Sequence, residues 1–137
     1  MPLTPLFKKL NFKNQPEILV LNPPESFLPE MEAMKEYTGF PEFSGTWNRL
    51  EFIIAFVMTQ AEVDRISVML VPLLAEDAIL WFAYPKQTSG KFKCEFNRDN
   101  GWKVLQSLGY EGVRMVAVDE DWSALRFRKK SMIRKSR

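Results

Sequence analysis

Two wholly apolar runs, Phe52 to Met58 (F-I-I-A-F-V-M) and Ala78 to Tyr84 (A-I-L-W-F-A-Y), bracket a segment whose apolar residues recur at helical spacing. Runs without a polar residue suit strands covered on both faces, and cover on both faces is what a parallel sheet requires. Between them, Thr59 and Glu62 stand at the spacing of a capping box, in which each side chain satisfies a free amide of the helix start. A helix is therefore expected from Gln60, with Val63, Ile66, Leu70, Leu73 and Leu74 on its buried face and Pro72 kinking or ending the last turn. Glu76 and Asp77 are expected to supply the turn into the next strand. Strand, helix and strand in this order predict a right-handed crossover between parallel neighbours.

The flanks extend the pattern. Glu17 to Leu21 reads as a buried strand stopped by Asn22, Pro23 and Pro24, and Ser26 to Tyr37 as a helix with Pro29 near its start, where proline is tolerated. Thr38 to Arg49 reads as irregular, with room for one short strand. A third amphipathic segment runs from about Asn97 to Leu108, stopped by Gly109. Val113 to Val118 and Ser123 to Phe127 then predict an antiparallel hairpin. Its second strand alternates Ser123, Leu125 and Phe127 against Ala124, Arg126 and Arg128, as a half-exposed strand would. The expected fold is a three-layer, Rossmann-like α/β domain with a mostly parallel sheet and a C-terminal antiparallel hairpin. It would occupy residues 15–128, between an N-terminal extension (1–14) and a basic tail (129–137).

Several chemistries are excluded. Cys94 is the only cysteine of the 137 residues, so a disulfide within the chain, a thiol redox pair and a four-sulfur zinc site are ruled out. This usage fits a reducing, cytoplasmic compartment. Histidine is absent, which removes histidine triads and histidine-ligated zinc, and no metal site is expected. No apolar stretch approaches the ~20 residues that cross a bilayer, so no membrane contact is expected. The chain holds neither G-x-G-x-x-G nor G-x-x-x-x-G-K-[ST], so no cofactor is expected either. Seven basic and no acidic residues fill the last twelve positions, leaving 12 basic and 17 acidic residues in the body. Such a tail would attract an anionic partner such as nucleic acid, or simply remain solvated.

In sheets of this kind ligands bind beyond the carboxyl ends of the parallel strands. That rule selects Asn22, Tyr84, Lys86, Asp119 and Glu120, with Ser89 and Gly90 in a loop above them and Trp122 and Ser123 beside them. A structural role accounts for most of these residue types: Asn-Pro-Pro stops a strand, acidic residues suit hairpin loops, and a large ring after a turn usually plugs the core. The rim matters for binding only if its side chains converge.

Two segments carry a family resemblance. Leu80-Trp81-Phe82-Ala83-Tyr84-Pro85-Lys86 with Ser89-Gly90, and Val116 to Phe127 (V-A-V-D-E-D-W-S-A-L-R-F), resemble the family catalogued as domain of unknown function 3052. Its members show Trp-Pro-Lys-Lys followed by Ser-Gly, then Val-Asp-Glu-Thr-Trp-Ser-Gly-Leu. Here Tyr84, Gln87, Asp121 and Ala124 replace a tryptophan, a lysine, a threonine and a glycine. The resemblance implies that Lys86, Ser89, Gly90, Asp119, Glu120, Trp122 and Ser123 form one cluster. Asn22-Pro23-Pro24 is similar to the Asn-Pro-Pro-aromatic segment of amino-group methyltransferases, with Glu25 in the aromatic position. The order of elements resembles the C-terminal half of a methyltransferase fold.

The leading expectation is a non-enzymatic domain that binds a small polar ligand or a protein partner. The alternatives are an enzyme acting on a small polar or nucleotide-like substrate, and a nucleic-acid adaptor working through the basic tail.

Overall fold

The structure, a computed structural model, describes residues 4–42, 49–96 and 100–135. A five-stranded sheet forms its centre, from β1 (Leu19–Leu21), β2 (Leu50–Phe56), β3 (Leu74–Pro85), β4 (Tyr110–Ala117) and β5 (Trp122–Lys129). The spatial order is β1-β2-β3-β5-β4. The first three strands pair in parallel, and the hairpin adds an antiparallel half in which β5, not β4, lies against β3. The predicted strand, helix and strand unit is therefore present, and its flanking strands are neighbours.

Alternation along the strands gives the sheet two apolar faces, as expected of a three-layer domain. On one face Ile53, Ala55, Leu80, Phe82, Leu125 and Phe127 meet Val63, Ile66 and Leu70 of α3 (Gln60–Leu70) and Leu105 of α4 (Lys103–Ser107). On the other, Phe52, Ile54, Phe56, Trp81, Ala83 and Ala124 meet Leu6 and Phe7 of α1 (Pro5–Lys9), Leu10 and Phe12 beyond it, and Met34 of α2 (Leu28–Met34). The N-terminal residues thus supply one wall of the core. Trp81 fastens them, its indole Nε1 donating to the buried Leu10 carbonyl at 3.0 Å. Among the described residues no helix is long and apolar enough to cross a membrane.

Helix α3 begins at Gln60 through the expected capping box: Thr59 Oγ1 accepts from the Glu62 amide, and Glu62 Oε1 accepts from the Thr59 amide. Pro72 ends it in a single 3-10 turn, Val71–Leu73. Elsewhere the expectations need correction. Glu76 and Asp77 make no turn between elements. They lie inside β3, where Asp77 adopts φ +55 and the pairing with β2 skips from Leu50↔Leu74 to Phe52↔Ile79. An aspartate tolerates that left-handed step better than most residues.

The helix expected over Ser26 to Tyr37 is a 3-10 turn (Glu25–Phe27) followed by seven residues of α2, and the irregular stretch contributes only a parallel bridge from Gly39 to Glu17. Residues 43–48, where part of that stretch falls, and 97–99, the expected start of the third helix, lie outside the described residues. That third helix is limited to five residues, since Gly101 at φ +94 breaks the backbone before it and Gly109 at φ +93 stops it. β5 is not half-exposed: paired on both sides, it buries Trp122 through Leu125 and Phe127. The basic segment is not a loose tail throughout, since Lys129 ends β5 and Lys130–Lys135 form α5.

Asp77 has a use. Arg128 grips it with two parallel bonds of 2.8 Å, from Nε to Oδ1 and from Nη2 to Oδ2. These bonds, chiefly, hold the carboxyl below its ordinary range, with the Arg128 and Arg126 charges acting in the same direction against desolvation. A carboxyl whose pKa is depressed on folding contributes stability that is complete above its unfolded value and disappears as pH falls through the folded one. Asp77→Asn should therefore cost about 1 kcal/mol at neutral pH. The gap to the unaltered protein should narrow below about pH 4. Urea denaturation of both proteins across that range checks it.

Candidate functional site

Because β4 is antiparallel to β5, which is antiparallel to β3, the ends of β1, β2, β3 and β4 all reach one edge of the sheet. Hydrogen bonds fasten the predicted rim there. After β3, the Lys86 amide donates to the Asp121 carbonyl at 2.8 Å, and Ser89 Oγ donates to Asp121 Oδ1 at 2.8 Å. Ser89 Oγ also accepts from the Lys91 and Phe92 amides at 3.2 and 3.1 Å. After β4, Asp119 Oδ1 accepts from the Asp121 and Trp122 amides at 2.8 and 2.9 Å, and its Oδ2 accepts from Ser26 Oγ at 2.7 Å. The loop after β3, the hairpin turn and the segment after β1 are thus stitched together.

The structure brings together Ser89, Asp119, Trp122 and the backbone of Lys86. It does not gather the others around them. Tyr84 is buried in the core, its hydroxyl 3.6 Å from Met115 Sδ, and Ser123 is buried opposite it in register. Glu120 and Gly90 are exposed, and nothing lies within 4 Å of where a Gly90 side chain would begin. Asn22 is exposed at φ +54 at the end of the outermost parallel strand. Trp122 is a core plug with a polar remainder: 3% exposed, edge-on to Phe56 and tilted against Phe92, its Nε1 has no partner among the described residues.

Three participants escaped the sequence reading. Ser26 reaches Asp119 across 93 positions of chain, a separation that carries no local signal. Asp121, which stands where the resembled family has threonine, accepts from Ser89. Glu95 lays its carboxylate on the Gln60 amide at 2.8 Å while its own amide donates to the Met58 carbonyl. Beside the end of β3 these loops leave an open recess of about 400 Å³, bounded by Lys86, Gln87, Ser89, Phe92, Lys93, Cys94, Glu95, Phe96 and Asn100. Burial, with the Glu95 and Glu62 charges, outweighs two backbone hydrogen bonds and pushes the Cys94 thiol above its ordinary range, so it offers little thiolate at neutral pH. Another recess, of about 480 Å³, lies against Trp102, Gly112 and Phe127, and no strand-end residue of the rim borders it. Among the described residues no group of three metal-ligating side chains occurs.

This sheet order, with its antiparallel strand slotted beside the parallel set, places the chain in the Rossmann-like methyltransferase fold. A SAM-dependent methyltransferase from Aquifex aeolicus superposes over 90% of this chain and 87% of its own, at TM-score 0.63 and 12% identity. The Methanococcus jannaschii fibrillarin pre-rRNA processing protein matches over 86% and 68% (TM-score 0.52, 11% identity). A Bacillus subtilis tRNA methyltransferase matches over 94% and 67% (TM-score 0.51, 9% identity). At such identities the likeness establishes the fold. No family model and no curated protein matches the chain.

S-adenosylmethionine, on which the Aquifex aeolicus neighbour is described as dependent, is a nucleoside cofactor that needs close backbone approach at a strand-to-helix turn. The turn after β1 does not fit that need. Asn22-Pro23-Pro24 contains no glycine, and its two prolines carry no amide hydrogen. At the next turn four of the donors are spent internally: the Met58 and Thr59 amides on Glu62, the Gln60 amide on Glu95 and the Glu62 amide on Thr59.

Proposed function

We propose that this chain is an enzyme of the methyltransferase-fold kind that acts on a small polar or nucleotide-like substrate in the recess beside Lys86. The carrying observation is the position of that recess, at the edge where the parallel strands end and where sheets of this architecture hold their ligands. Its border mixes cations (Lys86, Lys93), a carboxylate (Glu95), two amides (Gln87, Asn100) and aromatic rings (Phe92, Phe96), a set suited to a polar molecule with a flat apolar part. The solved structures of the same fold, two of them described as methyltransferases, support an enzyme over a passive scaffold. Membership of domain of unknown function 3052 is part of the same proposal, because Ser89 and Asp119, which carry that resemblance, take part in the bonds that shape the edge.

A second reading is favoured by the proline turn and the capped amides: a binding domain on the same scaffold without a cofactor. One experiment separates the two. Thermal unfolding and tryptophan fluorescence are followed while S-adenosylmethionine, nucleotides and small metabolites are titrated, with turnover assayed for every binder. The enzyme reading expects stabilisation by a ligand, weakened at least tenfold in Lys86→Ala, together with product formation. Binding without turnover would favour the second reading, and a panel without any binder would count against the recess.

A further inference from the structure

Away from that edge, the outer strand pair carries three arginines: Glu111 of β4 stands across from Arg128, and Asp77 of β3 is gripped by the same arginine. Arg114 and Arg126 are partners across β4 and β5, and Arg128 follows two residues later. Arg128 occupies both carboxylate oxygens of Asp77. Among the described residues Arg114 and Arg126 have no ion-pair partner, and Arg126 Nε is sealed from solvent with no acceptor. On its other side Arg126 is in register with Trp81, whose indole is itself a donor and is already spent on Leu10. A guanidinium N–H without water or acceptor costs the fold its desolvation. Burial chiefly, then the Arg128 and Arg114 charges, makes the cationic form of Arg126 less favourable, and only Asp77 opposes them.

We infer that Arg126 and Arg114 form a binding site for a phosphate group. A phosphate supplies what the site lacks, which is negative charge and acceptor oxygens matching the planar fork of an arginine. The same chemistry is offered by free phosphate and by a nucleic-acid backbone. The course of β5 favours the backbone: it runs from Arg126 through Arg128 to Lys129 and directly into Lys130 of α5, so an extended polyanion meets cations spread over about 13 Å of chain. The site is separate from the recess beside Lys86 and stands or falls independently of it.

The test uses the full chain, with inorganic phosphate and a fluorescent single-stranded oligoribonucleotide as probes. Arg126→Leu removes a half-buried cation whose Nε has no acceptor and should melt at or above the temperature of the unaltered protein. Should it fail to fold, Arg126→Lys, which keeps the charge but loses the fork, and Arg114→Gln carry the test. Phosphate should raise the melting temperature of the unaltered protein but not of the variant, supporting the site with free phosphate as a sufficient ligand. Oligoribonucleotide binding weakened tenfold or more in the variant, with a salt dependence shallower by about one ion, would assign the phosphate to nucleic acid. If neither probe binds, or if both bind the variants as they bind the unaltered protein, the inference is overturned.

Discussion

Replacing Trp81 with alanine should remove about 3–5 kcal/mol of unfolding free energy, a large share of what a domain of this size possesses. The side chain is fully buried among the rings and aliphatic groups of the face that receives the N-terminal residues, so its loss leaves a void that close-packed neighbours fill only in part. It also strands the Leu10 carbonyl, which the indole N–H satisfies in a buried setting. Trp81→Phe separates the two contributions, because it keeps most of the ring volume and deletes the donor. It should cost about 1–3 kcal/mol, the cost of an orphaned buried acceptor. Urea denaturation measures both variants, and hydrogen exchange should show protection lost first over residues 6–12. Equal exchange throughout the chain would mean that Trp81 fills space without fastening the N-terminal segment.

Gly101→Ala should be the next most damaging change, at roughly 2–4 kcal/mol, from left-handed strain plus overpacking. A methyl group at Gly101 would begin 2.6 Å from Phe96 Cβ, close to the main chain where little can yield, on a backbone held at φ +94. Gly109 supplies the control. Its φ is nearly the same, +93, but nothing lies within 4 Å of the added carbon, so Gly109→Ala should cost only about 1–2 kcal/mol. The difference between the two melting curves isolates the clash. Because Gly101 also accepts from Gln60 Nε2 at 2.8 Å and Phe96 borders the recess, the Gly101 variant should in addition weaken any ligand held beside Lys86.

The parts of the fold that could be read from the chain were those with local causes. α3 and the apolar stretches of β2 and β3 (52–56 and 78–84) announced themselves because a strand covered on both faces has no polar residue to spare and a capping box closes within four positions. The hairpin was readable for the same reason. Its placement was not: whether β4 or β5 lies against β3 depends on long-range pairing, and both strands have apolar residues to bury. Asp77 was misread as a turn because one left-handed residue inside a strand looks, in sequence, like a residue that ends one. The carboxyl edge itself followed from strand direction alone. The side chains that close it, Ser26, Asp121 and Glu95, did not, because each bond depends on loops whose course no periodicity encodes.

The slot that β5 fills has a consequence for the order of assembly. The last strand in the chain is an interior one, so until residues 122–129 are available β3 has an unsatisfied border and β4 has nothing to pair with. During synthesis the nascent domain would hold its largest aromatic surfaces half-covered until residue 129 has emerged. A premature stop within this stretch would therefore leave an aggregation-prone remnant with β4 and one border of β3 unpaired.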